Sequence, residues 1–141
     1  MKHLKIYNKQ DILSLTKIRR YETKLGERLN VIFDAEELEK SIEGSAAKYV
    51  LFGIPEDLGA KGNHGIGGTD TLWIPFLQSF FNLQSNDFLD GNEMLLIGHF
   101  DFGDIQYLID TTAKGDDERT EAYRHAVNTI DDEVEQLTKI I

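Results

Sequence analysis

The chain of 141 residues contains no cysteine. Disulfides, zinc–thiolate sites and iron–sulfur clusters are therefore excluded, and the absence agrees with a reducing compartment. No apolar run reaches the length that spans a bilayer. The start, MKHLKIYNKQDIL, lacks the long apolar centre of a signal peptide. Basic residues are scarce: 15 Lys and Arg stand against 25 Asp and Glu, a formal charge of -10. Such a surface repels phosphodiester backbones and anionic lipid, so neither nucleic acid nor a membrane is an expected partner. These features together read as a cytoplasmic protein. There is no internal repeat and no low-complexity tract. What the chain does have is 40% apolar and 10% aromatic residues, enough for the core of one ordinary domain.

Periodicity divides the chain into a helical lead-in, residues 1–44, and a strand-loop-helix-strand-helix region, residues 45–141. In the lead-in, Ile12, Leu15 and Ile18 have near-helical spacing and predict a helix over 10–20. The stretch YETKLGERLNVIF reads as neither helix nor strand. Asp34 can cap a second helix, with Glu37 at the capping-box position and Gly44 as its stop. Lys48 to Ile54 and Glu93 to Phe100 are continuous apolar runs, the pattern of strands buried on both faces. Leu72, Trp73, Phe76, Leu77, Phe80 and Phe81 form a wide helical face. Pro75 leaves two choices: the helix begins near it, or Thr69 to Ile74 form a kinked first turn. Residues 105–110 suggest a short helix. From Asp117 onward, Ala122, Ala126, Val127, Ile130, Val134, Leu137 and Ile141 predict a long amphipathic helix whose other face is charged. Strands alternating with helices predict an α/β layer with a parallel sheet. Two strands make a poor sheet, so the chain is expected to be part of a larger α/β unit.

Six glycines lie between Gly53 and Gly68, in GIPEDLGAKGNHGIGG, directly after the first apolar run. A phosphate loop would need GxxxxGK[ST] or GxGxxG, and neither spacing occurs. Pro55 also removes a donor where the tight turn would begin. A nucleotide site is thus disfavoured. A long loop at the carboxyl end of a parallel strand remains, which is where open α/β sheets place a binding crevice.

These residues resemble a family. Gly53-Ile54-Pro55-Glu56-Asp57-Leu58-Gly59, followed by Gly65-Ile66-Gly67-Gly68 at the start of a helix, is similar to the first strand-loop-helix of the ureohydrolases, the arginase, agmatinase and formimidoylglutamase family. Asp101-Phe102-Gly103-Asp104 resembles that family's D-x-G-D element. Asn82 to Leu89 is most similar to the formimidoylglutamase branch. Thr69 stands where the family often has proline. The resemblance covers roughly residues 45 to 141.

The resemblance implies a three-layer α/β/α fold around a parallel sheet. It also implies hydrolysis of a formimino or guanidino C–N bond in a small-molecule substrate by a hydroxide bridging two manganese ions. The family's metal motifs, G-G-x-H, D-A-H-x-D and D-x-D, do not occur here. No metal ligand or catalytic residue is assigned, and residues 1–141 are expected to be the inactive amino-terminal part of such an enzyme. Gly53, Pro55, Gly59, Gly65, Gly68, Asp101, Gly103 and Asp104 carry the structural motif. Asp57, Asn63 and His64 are candidates for the substrate rim, with His64 also readable as a plain exposed loop residue. His99 and Asp101, two apart on a strand, share a face and can be read as a metal pair or as a strand-end polar pair. His125 reads as a solvated residue of the last helix. The resemblance allows a homo-oligomer. The competing reading is a non-catalytic α/β protein that binds or assembles on the same scaffold.

Overall fold

A seven-residue strand, β4 (Met94–Phe100), organises the protein. In the computed structural model, which describes residues 1–141, its Leu95, Leu96, Ile97 and Phe100 are at most 1% exposed. Each such side chain contributes about 1.5–3 kcal/mol of burial free energy. Before it come β1 (Leu4–Ile6), α1 (Lys9–Ser14), α2 (Leu25–Arg28), β2 (Asn30–Val31), α3 (Leu38–Glu43), β3 (Tyr49–Gly53), α4 (Leu58–Gly62) and α5 (Trp73–Phe80). After it come α6 (Gly103–Thr112) and α7 (Asp116–Thr138).

The sheet has four strands and is mixed. β3 runs parallel to β4 from Tyr49↔Met94 to Gly53↔His99. On the other edge of β4, β2 pairs in parallel at Leu95 and Leu96, and β1 pairs antiparallel at Gly98, His99 and Phe100. This corrects three expectations. The lead-in supplies two of the four strands, the sheet is not purely parallel, and β3 is an outer strand whose Tyr49 is 60% exposed. Only β4 is central.

Helices cover both faces. Leu95, Ile97 and Phe100 pack with Ile109 of α6 and with Tyr123, Ala126, Ile130 and Leu137 of α7. Leu96 packs with Ile12 of α1 and with Leu77 and Phe81 at α5. Strict alternation would place His99, not Phe100, beside Ile97. A bulge changes the phase: Leu51 pairs with Leu96, but Phe52 pairs with Gly98. Gly98 has φ +148, and a Cβ there would overlap the Lys5 carbonyl of β1. The bulge therefore needs glycine. It turns Phe100 into the core and puts the His99 ring edge-on to Tyr7, 5.4 Å away.

Several local expectations change for identifiable reasons. The first helix stops at Ser14 instead of Arg20, because the Asn82 amide captures the Leu15 carbonyl and its Oδ1 accepts from Lys17 N–H. Ile18 is left 63% exposed. Asp34 does not cap α3, which begins at Leu38; its Oδ1 accepts from Glu36 N–H in a local turn. The capping box forms instead at Asn8 and Asp11, ahead of α1. Pro75 is the third residue of α5, after a 3₁₀ turn over Thr69–Leu72. At that position the missing N–H costs no helical bond. In α7 the buried positions are Tyr123, Ala126, Ile130, Glu133 and Leu137. Glu133 is thus an acid inside the apolar stripe. Its partner is His3: the His3 N–H donates to Oε2 at 3.0 Å, and Nδ1 meets Oε1. This pair ties the start of β1 to the far helix.

Candidate functional site

The carboxyl ends of β3 and β4 lie side by side, and a cleft of about 270 Å³ opens between the segments that leave them. Its polar wall is Glu56 and Asp70 from the β3 side, with His99, Asp101 and Gln106 from the β4 side. No lysine or arginine lines it. Three carboxylates with no cation among them give the cleft a negative wall, the character that suits a positively charged or strongly donating group.

His99 is the last-but-one residue of β4 and is partly buried. Burial holds its imidazole below the ordinary 6.5; the Asp101 carboxylate pulls the other way, and Lys5 adds to the burial effect. At neutral pH the ring is therefore an uncharged acceptor and donor. Its Nδ1 is buried with no hydrogen-bond partner in the protein. Asp101 is exposed and accepts from Gly103 N–H at 3.1 Å, which fixes the turn into α6. Glu56 accepts from Gly59 N–H at 3.0 Å and steadies the start of α4.

The glycine segment is not one open loop. It contains α4, which packs on α7. Asp57 lies inside it, only 4% exposed. Its Oδ2 accepts from Gly68 N–H at 2.9 Å, and the Lys61 ammonium stands 2.8 Å from Oδ1 as an ion pair without hydrogen-bond geometry. Asp57 thereby latches the two ends of the segment together. Asn63 donates to the Gly59 carbonyl at the end of α4, and His64 is exposed with φ +58. None of these three expected rim residues lines the cleft. Of the structural-motif residues, Pro55, Asp101 and Gly103 line it. Gly53 ends β3 against the Trp73 ring, where a Cβ would come within 2.5 Å. Gly59 and Gly65 serve the α4 turn, and Gly68 takes φ +122 under the Asp57 latch. Asp104 points away, to Lys2 at 2.9 Å and His3 at 3.2 Å. His125 is exposed on α7.

The sequence did single out the His99–Asp101 pair, and the two residues do share the cleft. It gave no role to Glu56, Asp70 or Gln106. Their signal is positional: each lies within a few residues of a strand end or at a helix start facing that end. A dinuclear manganese site does not fit these residues. No group of three or more His, Cys, Asp or Glu side chains is close enough to hold a metal ion. No helix is long and apolar enough to cross a membrane. No protein-family model matches the chain, and no curated protein or solved structure matches it significantly.

Proposed function

We propose that this α/β unit is the amino-terminal scaffold of a C–N hydrolase of the ureohydrolase kind, most similar to formimidoylglutamase, and that its cleft forms one wall of the substrate site. The observation that carries the reading is the cleft itself: an uncharged His99 beside Asp101, Glu56 and Asp70, at the carboxyl ends of two parallel strands. A formimino or guanidino group is a planar cation rich in N–H donors, and such a wall suits it. Helices on both sides of the sheet fit the three-layer arrangement expected of that family.

The reading assigns binding and orientation, not bond cleavage, to these residues. Asp101 and Glu56 accept from the substrate cation, and His99 takes or gives one further hydrogen bond. A manganese pair would need ligands other than these residues, none of which cluster closely enough to hold a metal ion. The testing experiment is manganese-dependent release of formamide from N-formiminoglutamate by the native polypeptide, with its intact mass measured on the same sample. Activity in a polypeptide much heavier than 16.1 kDa is the expected result. An inactive polypeptide of 16.1 kDa would remove the catalytic reading.

A second reading would then lead, that of a non-catalytic binding or assembly protein. One observation favours it. The outer edge of β3 has no partner strand, and an apolar crevice lined by Leu51, Ile54, Leu72 and Phe76 lies beside it. Open edges of this kind recruit strands.

A further inference from the structure

A second cleft, remote from the strand ends in character, lies between the segment that follows α1 and the end of α5. It has a volume of about 310 Å³ and is lined by Lys17, Arg19, Lys24, Gln78 and Asn82, with no apolar residue. An adjoining hollow of about 230 Å³ shares Lys17, Gln78 and Asn82. This is an unusual place in a chain with ten more acids than bases. Elsewhere most cations are paired with a carboxylate. Here neither Lys17 nor Arg19 forms an ion pair, and only Lys24 does, with Glu22.

The Lys17 and Arg19 side chains are exposed, while the backbones at Lys17 and Lys24 are anchored. Lys24 is 9% exposed, and its backbone bridges to Gln84. The Lys17 N–H donates to Asn82 Oδ1 at 2.7 Å. The N–H groups of Ile18, Arg19 and Arg20 have no acceptor within the protein. The opposing fields are small. The ends of α1 and α5 each bring at most about half a negative charge, and Glu22 offsets Lys24. Two full positive charges, on Lys17 and Arg19, exceed that sum, so the cleft is positive.

We infer that the Lys17–Arg19–Lys24 cleft binds a small dianion, a phosphate or dicarboxylate group, held by the cations and by the Gln78 amide. Calorimetric titration of the 141-residue chain at fixed low ionic strength, with inorganic phosphate and with succinate, tests this. Saturable 1:1 binding of either anion is expected, weakened at least about tenfold in Lys17→Gln and in Arg19→Gln, the scale of one charged hydrogen bond. Tighter phosphate binding would assign an oxyanion ligand, and tighter succinate binding a dicarboxylate. The control Lys114→Gln, at an unpaired lysine elsewhere, is expected to bind within about twofold of wild type. Titration of the unmodified chain, followed through the Gln78 and Asn82 side-chain amide signals by NMR, locates the site without any substitution. The inference is overturned if neither anion saturates, if the Lys17 and Arg19 variants bind as wild type, if Lys114→Gln loses as much, or if the shifted amides lie elsewhere.

Discussion

Replacing Gly98 by alanine should damage the fold more than its single methyl suggests. Gly98 holds φ +148, and the added Cβ would overlap the Lys5 carbonyl oxygen and lie 3.2 Å from Ile6 Cα. Neither neighbour is a flexible side chain that can swing away; both are backbone of β1. The strand has three paired positions, Leu4↔Phe100, Lys5↔His99 and Ile6↔Gly98. Relief therefore means moving β1 off β4, which also breaks the Tyr7 N–H to Ile97 carbonyl bond at 2.9 Å. Backbone strain of this type costs about 1–3 kcal/mol, and two or three lost backbone hydrogen bonds add roughly 1 kcal/mol each. The expected loss is about 3–6 kcal/mol, or a Tm lower by about 10–20 °C for a chain of this size. Urea unfolding followed by circular dichroism measures it, with Gly115→Ala as the control, because a Cβ at Gly115 meets nothing. A Gly98→Ala loss below about 1 kcal/mol, the range of ordinary surface changes, would refute the assigned role of the bulge.

Other outcomes follow from the charged groups. For Glu133, burial works against the carboxylate, but the two hydrogen bonds from His3 outweigh it and hold its pKa below the ordinary 4.5. Its contribution to stability is full above about 4.5 and is lost as pH falls through the lowered value. Glu133→Gln should cost about 1–3 kcal/mol at neutral pH and flatten the acid limb of a stability–pH curve. Because burial lowers the His99 pKa, that residue supports the fold above 6.5 and ceases to do so as pH falls through its folded value. In an NMR titration Asp101→Asn should lower the His99 pKa further, since Asp101 is the group that raises it. Burial, then the hydrogen bond and charge of Asp110, push the Tyr123 phenol up to about 12. It stabilises the fold below 10, and that support fades as pH rises from 10 through about 12. Ultraviolet difference titration of wild type against Tyr123→Phe should show the variant losing an ionisation near 12.

Much of the scaffold was legible because long apolar patterns are redundant. β4, α5 and α7 each carry enough apolar residues to be read from spacing alone. β1 and β2 escaped because LKI and NV are too short to show a period of two. Their strand state comes from pairing with β4, across 96 positions at Leu4↔Phe100. Glu133 was hidden for a similar reason. It reads as one more charge on a charged helix until His3, 130 residues earlier, is seen against it. The site was legible by half. His99 and Asp101 share a strand end, and a two-residue spacing reveals that. Asp57 looked like a rim acid because a carboxylate in a glycine-rich segment has no visible partner, whereas the fold turns it inward onto Gly68 and Lys61. Glu56, one residue earlier, faces the cleft instead. Neighbouring residues in an irregular segment exchange roles with a single change of φ and ψ, and no periodicity records which one points where.

The account rests most directly on whether the cleft between the ends of β3 and β4 receives the cationic formimino or guanidino group of a C–N substrate. The decisive measurement is an NMR titration of the chain with N-formiminoglutamate, followed at the His99 ring protons, in wild type and in Glu56→Gln. The account predicts a saturable shift at His99 that weakens in the variant, with glutamate alone producing none. No shift at His99 while other resonances move, or an equal shift with glutamate, would contradict it.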